Sequence, residues 1–266
     1  MPRHDSIRLG VGADGMQPMH AYFSASGFEP HRHDTYGIGI TVAGVQAFRY
    51  RGERRVCLPG QLHILHPDEV HDGGAATSAG FGYRIVYVRP ELIGDALGGG
   101  ALPFVADPVH DQPPAARRVA AILDDIDRPI SDLARSDAAA YLADLLSRLS
   151  GARDRGPVLI DKPAIAAVRD YLDAHAGEQT PSRTLEQVAG IDRFTIARQF
   201  RRAYGTSPDR YRTMRRLDSA RTAIAAGTPL AQAAADAGFA DQSHLTRQFK
   251  RAYGLTPARF ARALVR

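Results

Sequence analysis

The chain has 266 residues, of which 24% are charged and 44% are hydrophobic, and its formal net charge is +5. The single cysteine, Cys57, excludes an intrachain disulfide, and no apolar run approaches the roughly 18 residues that a membrane span requires. The N-terminus lacks the apolar core of a signal peptide, so we expect a cytoplasmic, membrane-free protein long enough for two domains.

The charge is unevenly divided along the chain. Residues 157–266 hold 18 Lys+Arg against 10 Asp+Glu, whereas residues 1–156 hold 16 against 19. Basicity that is confined to one part indicates that this part alone meets phosphate groups.

The N-terminal half is predicted to be β-rich. Residues 1–20 contain several turn residues and are expected to form a flexible arm with at most one strand. From Ala21, short β-rich runs alternate with glycine and proline turns, a pattern that favours a barrel or jelly roll able to hold one small ligand. The predicted strands are Ala21–Ser24, Gly37–Val42, Ala47–Tyr50, Arg54–Leu58, Leu62–Leu65 and Tyr83–Val88.

Two histidine motifs lie within this half. One is the run from His31 to His33, and the other is the stretch from Leu58 to His71. Together they resemble the two motifs of the cupin family, in which a metal site uses two His, a carboxylate about four residues on, and a third His. Here Gly37 or Ile38 occupies the carboxylate position, and the nearest acid is Asp34. We therefore expect no metal and no cofactor.

The histidines remain open to two interpretations, as structural groups at the barrel mouth or as the lining of a pocket for an organic effector. Aromatic side chains with a few polar groups suit a small polar molecule. The alternation of strand residues does not reveal which face points inward. The candidate effector-binding residues are His31, His33, Tyr36, Tyr50, His71 and Arg84, with Phe48, His63 and Tyr83 as further possibilities.

After Pro90 the apolar period becomes helical. One helix is predicted from Pro113, with Val119, Ile122, Leu123 and Ile126 on one face, and a second from Ser131 or Asp132 to about Leu149. The apolar stripe of the second helix is wide enough for two contacts, one to the barrel and one to either a dimer partner or a neighbouring helix. We expect a homodimer. A polar, helix-breaking linker over residues 151–162 separates residues 21–150 from residues 163–266.

The C-terminal half contains a close internal repeat. The stretch Arg198–Tyr211 returns 49 positions later as Arg247–Phe260, with nine of fourteen positions identical. Such a repeat means that one supersecondary unit was built twice. Each copy follows a short helix and a glycine turn, at Gly190 and Gly238, which is the helix-turn-helix arrangement.

A long helix is predicted between the copies, from Pro208 to about Ala226. At about 1.5 Å per residue it spans about 27 Å. The two units could therefore enter successive major grooves on one face of B-DNA, which lie about 34 Å apart.

The stretch from Gly238 to Pro257 resembles the signature of the AraC/XylS family of bacterial transcription regulators. The resemblance covers about 100 C-terminal residues, and the segment from Tyr22 to about Val88 is similar to the effector-binding and dimerisation domain of that family. It implies a cupin-like all-β jelly-roll barrel followed by two helices, then an all-α domain whose two helix-turn-helix units are joined by a long helix. One departure is Glu186, where the family usually has a small residue, so we expect the first unit to dock less tightly; Ser182 departs similarly.

The resemblance implies a set of DNA-contacting positions. Arg198 and Arg247 can bond guanine bidentately, Gln242 can pair with adenine, and Phe194 can contact a thymine methyl group. Arg201 and Lys250 suit phosphate contacts, which position the protein without specifying sequence. The full set is Arg193, Phe194, Ala197, Arg198, Arg201, Gln242, Ser243, His244, Arg247 and Lys250.

The sequence thus predicts a transcription regulator, and not an enzyme, that binds double-stranded DNA and responds to a small-molecule effector. RNA polymerase is a further candidate partner, and activation is one of two possible outcomes of binding. Two alternatives stay open, namely a metal-dependent cupin enzyme or sensor with an appended DNA-binding domain, and an architectural DNA-binding protein without an effector.

Overall fold

The computed structural model describes residues 4–99, 101–151, 160–178 and 180–264. Its N-terminal part consists of two antiparallel sheets with strand orders β1-β2-β9-β4-β7-β10 and β3-β8-β5-β6. Phe23 of one sheet packs edge-on against Phe28 of the other at 4.8 Å, so the two sheets share a core. The strands are β1 (Ser6–Leu9), β2 (Met16–Phe23), β3 (Ser26–His31), β4 (Tyr36–Gly44), β5 (Gln46–Tyr50), β6 (Glu53–Cys57), β7 (Leu62–Leu65), β8 (His71–Ala75), β9 (Phe81–Val88) and β10 (Val109–His110).

Alternation along β9 assigns the two faces of the larger sheet. Phe81 and Tyr83 stack on each other toward the smaller sheet, whereas Val86 and Val88 belong to a second core on the opposite face. On β4 the inward positions include Gly39, where a Cβ atom would lie 2.5 Å from the His63 ring. The missing side chain on β4 therefore makes room for a histidine inside the barrel.

Three helices cover the outward face of the larger sheet. Their apolar residues pack into the second core, where Val119 of one helix and Leu142 of another are fully buried. The helices are α1 (Pro90–Ala96), α2 (Pro113–Ile122) and α3 (Asp132–Leu149). The predicted second helix thus begins where expected, with the Ser131 side chain accepting a hydrogen bond from the Ala134 backbone N–H at 3.3 Å.

The apolar stripe of α3 is used within the chain. Ala138, Leu142 and Leu145 are buried in the second core, and α3 also contacts α1. Leu133, at the beginning of the helix, is 74% exposed. The contact that α3 was expected to make with either a dimer partner or a neighbouring helix is therefore made mostly with α1 of the same chain.

The N-terminal segment is more ordered than expected. Residues 6–9 and 16–20, which lie in the expected flexible arm, are strands β1 and the start of β2, paired in register with Ile7 opposite Ala21. The expectation is corrected for these residues because hydrogen bonding to β2 and burial of Ile7 stabilise the segment. Most of the expected linker, residues 152–159, lies outside the described residues.

The C-terminal part is helical, and its helices follow the predicted pattern of two helix-turn-helix units around a long connector. The helices are α4 (Lys162–Ala174), α5 (Ser182–Ala189), α6 (Arg193–Tyr204), α7 (Pro208–Ala225), α8 (Leu230–Asp236), α9 (Gln242–Tyr253) and α10 (Pro257–Ala263). Within the described parts of the chain, none of the helices is both long and apolar enough to cross a membrane.

Candidate functional site

The two helix-turn-helix units are built alike. In the first, α5 ends at Gly190 with φ of 68°, and α6 begins after Asp192. In the second, Gly238 with φ of 74° lies between α8 and α9. Left-handed backbone at both turns favours glycine, which reverses the chain within a few residues.

Each recognition helix, α6 and α9, buries one face and leaves the other in solvent. Ile196 and Phe200 of α6 are buried in the core formed with α4 and α5. The equivalent residues of α9, Leu245 and Phe249, are both fully buried. The opposite faces hold the residues expected to meet DNA.

Aspartates fix the first turn of both recognition helices. The carboxylate of Asp192 accepts hydrogen bonds from the backbone N–H groups of Phe194 and Thr195, each at 3.0 Å. That of Asp241 accepts one from the His244 backbone N–H at 2.6 Å. Such caps satisfy donors that a helix start leaves unpaired, so the residues proposed to reach bases stand on an ordered turn.

On α6 most of the expected DNA-contacting side chains are exposed. Phe194 is 75% exposed. Arg198 donates to the hydroxyl oxygen of Thr195 at 3.1 Å, and Ala197 and Arg201 lie in solvent. These side chains share the face opposite the buried pair.

Arg193 differs because it is held by Glu186 of α5. Its Nε and Nη2 atoms donate to the two carboxylate oxygens of Glu186 at 2.8 and 3.0 Å, and its backbone N–H donates to the same carboxylate at 3.0 Å. These hydrogen bonds lower the pKa of Glu186 and raise that of Arg193. Glu186, which the sequence suggested would loosen the first unit, instead joins α5 to the start of α6.

On α9 the expected residues fall into three environments. Gln242, Ser243 and Arg247 are exposed. His244 is half-buried, with its ring edge-on to Phe239 at 5.4 Å. Lys250 forms an ion pair with Glu29 of the barrel, with Nζ 2.7 Å from the carboxylate.

Three of the six residues expected to contact an effector pack against or bond to other parts of the protein. Tyr36 points to the outward face of the larger sheet, where its hydroxyl donates to the Pro103 carbonyl at 2.8 Å. Arg84 also points outward and pairs with Asp124 at 3.1 Å. Tyr50 packs among Phe48, Cys57 and Leu65. Strand alternation turns Tyr36 and Arg84 outward, and the sequence could not tell which face was inward. Tyr50 lies opposite His71 in register, but it belongs to a separate small core cluster.

The other three, His31, His33 and His71, form a buried cluster. Ring centroids lie 4.3 Å apart for His31 and His71 and 4.8 Å apart for His33 and His71. The Nδ1 atom of each ring is hydrogen-bonded to a backbone carbonyl, those of Glu29, Thr35 and Glu69 respectively, at 2.8–2.9 Å. These bonds fix the rings and assign the Nδ1 atoms as donors.

Burial keeps these imidazoles neutral. It lowers the pKa of His31 and of His33 well below the ordinary value and that of His71 to about 4. The nearby His63, also buried, has its pKa lowered to about 3 by the same cause. Among the described residues, no group of three or more His, Cys, Asp or Glu side chains is arranged to hold a metal ion.

A cavity of about 250 Å³ lies between the barrel and the helical domain. The barrel supplies the apolar side chains Met16, Met19 and Phe28, and the helical domain supplies Met214 and Phe260. His31 and His33 line it too, but His71, Tyr36, Tyr50 and Arg84 do not. Sequence reasoning missed this cavity because its two walls come from segments 125 residues or more apart, from Arg89 to Met214 at the nearest. The other polar lining residues include Gln17, Asp34, Tyr87, Arg89, Asp218, Arg221 and Tyr253.

A buried ion pair joins the two domains beside this cavity. Arg215 of α7 donates to Asp34 at 2.6 Å and also lies 3.2 Å from Asp218. Burial raises the pKa of Asp34, and the charge of Arg215 opposes this shift. Asp34, the acid nearest to the expected metal-ligand position, therefore faces the helical domain and not the histidine cluster.

Comparison with known proteins gives a separate family match for each half of the chain. A family model described as an AraC-like ligand binding domain matches residues 15–143, and one described as a helix-turn-helix domain matches residues 185–263. Among curated relatives, the uncharacterized HTH-type transcriptional regulator YbfI of Bacillus subtilis (strain 168) is 24% identical over 227 residues, which cover 82% of this chain and 81% of the relative.

Solved structures share the whole two-domain fold. ToxT from Vibrio cholerae superposes with a TM-score of 0.67 at 9% identity, covering 95% of this chain and 100% of that one. Wild-type ToxT of strain SCE256 bound to an unsaturated fatty acid gives a TM-score of 0.65 at 10% identity, covering 100% and 98%. At such low identity the likeness concerns the fold.

Proposed function

We propose that this chain, which belongs to the AraC family of transcriptional regulators, reads DNA sequence with both recognition helices and is controlled by an effector bound between its two domains. The observation that supports the proposal most strongly is the pair of equivalent helices, α6 and α9, each with a capped first turn and an exposed polar and basic face. Paired units of this kind suit two successive major grooves.

Within each helix, we propose different roles for the exposed residues. Those of the first two turns, including Arg193, Arg198, Gln242 and Arg247, would reach base edges, where an Arg bonds guanine and a Gln bonds adenine. Arg201, in the third turn of α6, would contact phosphate. Ala197 offers only apolar contact, so the first unit would discriminate less at that base step.

The proposed effector site is the cavity between the barrel and the helical domain. A molecule that touches both walls binds only the docked arrangement of the domains, so its binding free energy stabilises that arrangement. DNA affinity and effector affinity would then be linked reciprocally. The side chains that fill the barrel between its sheets, such as Phe81, Tyr83 and His63, make the barrel interior a weaker candidate.

The lining favours an amphiphilic molecule with an anionic head. Asp218 is engaged by Arg215, by Arg221 at 3.4 Å and by the Tyr253 hydroxyl at 2.9 Å. Arg89, in contrast, makes its ion pair with the largely exposed Asp14 at 3.6 Å, although its charge also acts on the buried Asp34 and the half-buried Asp218. Among the described arginines of the lining, it is the one without an ion pair to a buried or half-buried acid. The unsaturated fatty acid bound to ToxT is a molecule of this chemical kind.

Substitution of Arg89 tests this assignment. We expect saturated and unsaturated long-chain monocarboxylates to raise the melting temperature of the wild-type protein more than the matching alcohols do. The Arg89→Gln variant should lose that preference, and Arg89→Lys should retain it. Equal shifts for acids and alcohols in the wild type would contradict an anionic head group.

We also propose that the protein is a homodimer, although the apolar stripe of α3 that suggested a partner is mostly buried within one chain. What supports it now is Leu133, exposed at the beginning of α3. Sedimentation of wild type and Leu133→Asp at micromolar concentration tests it, and an identical monomer mass for both would contradict it.

RNA polymerase as a partner and a cytoplasmic location fit a protein that acts on DNA.

The experiment for the main proposal is a binding titration on the DNA upstream of the protein's own gene, with a scrambled fragment of equal length as control. We expect specific protection over two successive major-groove turns per protomer. Equal affinity for both fragments, with and without the monocarboxylate panel, would overturn the assignment.

A further inference from the structure

The internal repeat places a glycine directly after each recognition helix. Gly205 follows α6 with φ of 71°, and Gly254 follows α9 with φ of 68°. The left-handed conformation is a common way to end a helix and would by itself favour glycine at both positions. A second constraint acts on the same two residues.

Both glycines lie against the barrel. A Cβ atom at Gly254 would come within 2.8 Å of the Cβ atom of Phe28 and 2.7 Å of Nδ1 of His31. One at Gly205 would come within 2.8 Å of the Cβ atom of Pro67 and 3.4 Å of Pro90. The barrel therefore approaches the same point of each helix-turn-helix unit more closely than any other residue type would allow.

Hydrogen bonds between the two domains lie beside both glycines. At the second unit, the backbone N–H groups of Glu29 and Arg32 donate to the carbonyls of Gly254 and Arg251 at 3.0 and 3.2 Å. The last carbonyls of a helix have no partner within it, and here the N-terminal domain supplies their donors. At the first unit, the hydroxyl of Thr206 donates to the Asp68 carboxylate at 3.3 Å.

We propose that Gly205 and Gly254 are paired docking points through which the barrel sets the relative position of the two recognition helices. The inference extends the proposed DNA-binding function, because that position decides which spacing of DNA sites the pair can occupy. The alternative is that the 18-residue helix α7, which contacts both units, fixes their separation alone.

The second docking point also borders the effector cavity. Phe28 and His31 on the barrel side, and Ala252, Tyr253 and Leu255 on the helical side, line the cavity and flank Gly254. An occupant of the cavity therefore touches the residues that hold α9, and the second unit is the one whose position would respond to the effector.

Gly190 provides a matched control. It has the same left-handed backbone, with φ of 68°, and lies in the same domain, but a Cβ atom there would meet nothing within 4 Å. Gly190→Ala therefore imposes the backbone strain without a clash. Gly205→Ala and Gly254→Ala impose the strain and also push the barrel away.

The readout is the distance between the recognition helices, measured by double electron–electron resonance in the full-length protein without DNA. Spin labels at Phe194→Cys and Gln242→Cys report the two exposed helix starts, and the buried Cys57 stays unlabelled. We expect one narrow distribution for the wild type and Gly190→Ala, and a shifted or broadened one for Gly205→Ala and Gly254→Ala. Four superimposable distributions would show that α7 alone sets the distance and would overturn the proposal.

A surface variant covers the case in which a glycine variant does not fold. Glu29→Lys replaces the ion pair with Lys250 by repulsion at a side chain that is 60% exposed, and leaves the backbone unaltered. We expect it to broaden the distribution, and an unchanged distribution would count against the proposal. Because no DNA is present, failure here is distinct from failure of the DNA-binding assignment, which would appear as non-specific binding by the wild type.

Discussion

At the scale of single residues, Glu186 changes what Arg193 can do. One edge of the guanidinium is bound to the carboxylate, so the side chain is held in one orientation at the start of α6. A pre-oriented guanidinium loses less rotamer entropy when its remaining donors meet a base. Glu186 is thus expected to sharpen the base preference of the first unit.

Substitution of Glu186 by glutamine tests this role. We expect Glu186→Gln to lower discrimination at one base step in a competition assay over randomised sites, because Arg193 loses its fixed orientation there. The exposed Glu178→Gln in the same domain should leave all steps unchanged. A uniform rise in affinity for every sequence would instead mean that Glu186 withdraws Arg193 from DNA.

The buried histidines give the protein a predictable response to acid. The folded state holds His63 and His71 neutral, with pKa values of about 3 and about 4, whereas unfolded histidine titrates near pH 6.5. Below about pH 6.5 the unfolded chain therefore binds more protons than the folded one, and stability falls as pH falls.

Urea unfolding at a series of pH values tests this response. We expect stability to be lost between about pH 6.5 and pH 3, with each of these two histidines contributing up to about 1.4 kcal/mol per pH unit, and to be flat with respect to these groups above pH 7. His71→Gln should make the slope shallower, while the exposed His4→Gln should not. An unchanged slope in His71→Gln would contradict the assignment.

At the scale of elements, the helices were more predictable than the strands. Helix α3 begins at the predicted residue because Ser131 and the apolar period both mark it. Strands β3 and β8 were not predicted, because Gly27, Pro30, Gly73 and Gly74 interrupt any apolar alternation. Antiparallel pairing of β3 with β8 and of β8 with β5, together with the contact of α9 with β3, defines them, and all of these are long-range contacts.

The connector α7 is a second element, besides the barrel contacts, on which the alignment of the two units depends. Ser219→Pro, at an exposed position, should cost about 3 kcal/mol or more by breaking the helix, and Ser219→Ala should be nearly neutral. We expect the proline variant to protect one major-groove turn of a footprint in which the alanine variant protects two. Full protection by both variants would mean that the barrel contacts suffice to align the units.

At the scale of the whole molecule, the interface between the barrel and the helical domain contains both the effector cavity and the ion pairs that join the domains, and it adjoins the DNA-binding units. The ion pairs Asp34–Arg215, Glu29–Lys250 and Asp5–Arg259 all join an acid of the barrel domain to a base of the helical domain. The sequence indicated the opposite charges of the two halves but not their pairing. Composition is a property of a segment, whereas pairing depends on how the segments dock.

Removal of one partner of the buried pair should therefore be costly. Asp34→Ala removes the closest acid from the buried Arg215 charge, and we expect a loss of about 3–5 kcal/mol in urea unfolding. The double variant Asp34→Ala with Arg215→Met should recover part of that loss. Equal destabilisation by the single and double variants would contradict a paired charge at the interface between the domains.

The measurement that tests the central claim most directly is DNA binding by the full-length protein over a salt series, on the DNA upstream of its own gene. Two recognition helices in successive grooves predict specific protection over about two helical turns and a log–log salt slope of about −0.9 for each phosphate neutralised. Arg201→Ala should make that slope shallower by about 1 without changing the preferred sequence. Protection confined to one groove turn, or affinity that does not distinguish this DNA from a scrambled fragment, would contradict the claim that both units read DNA.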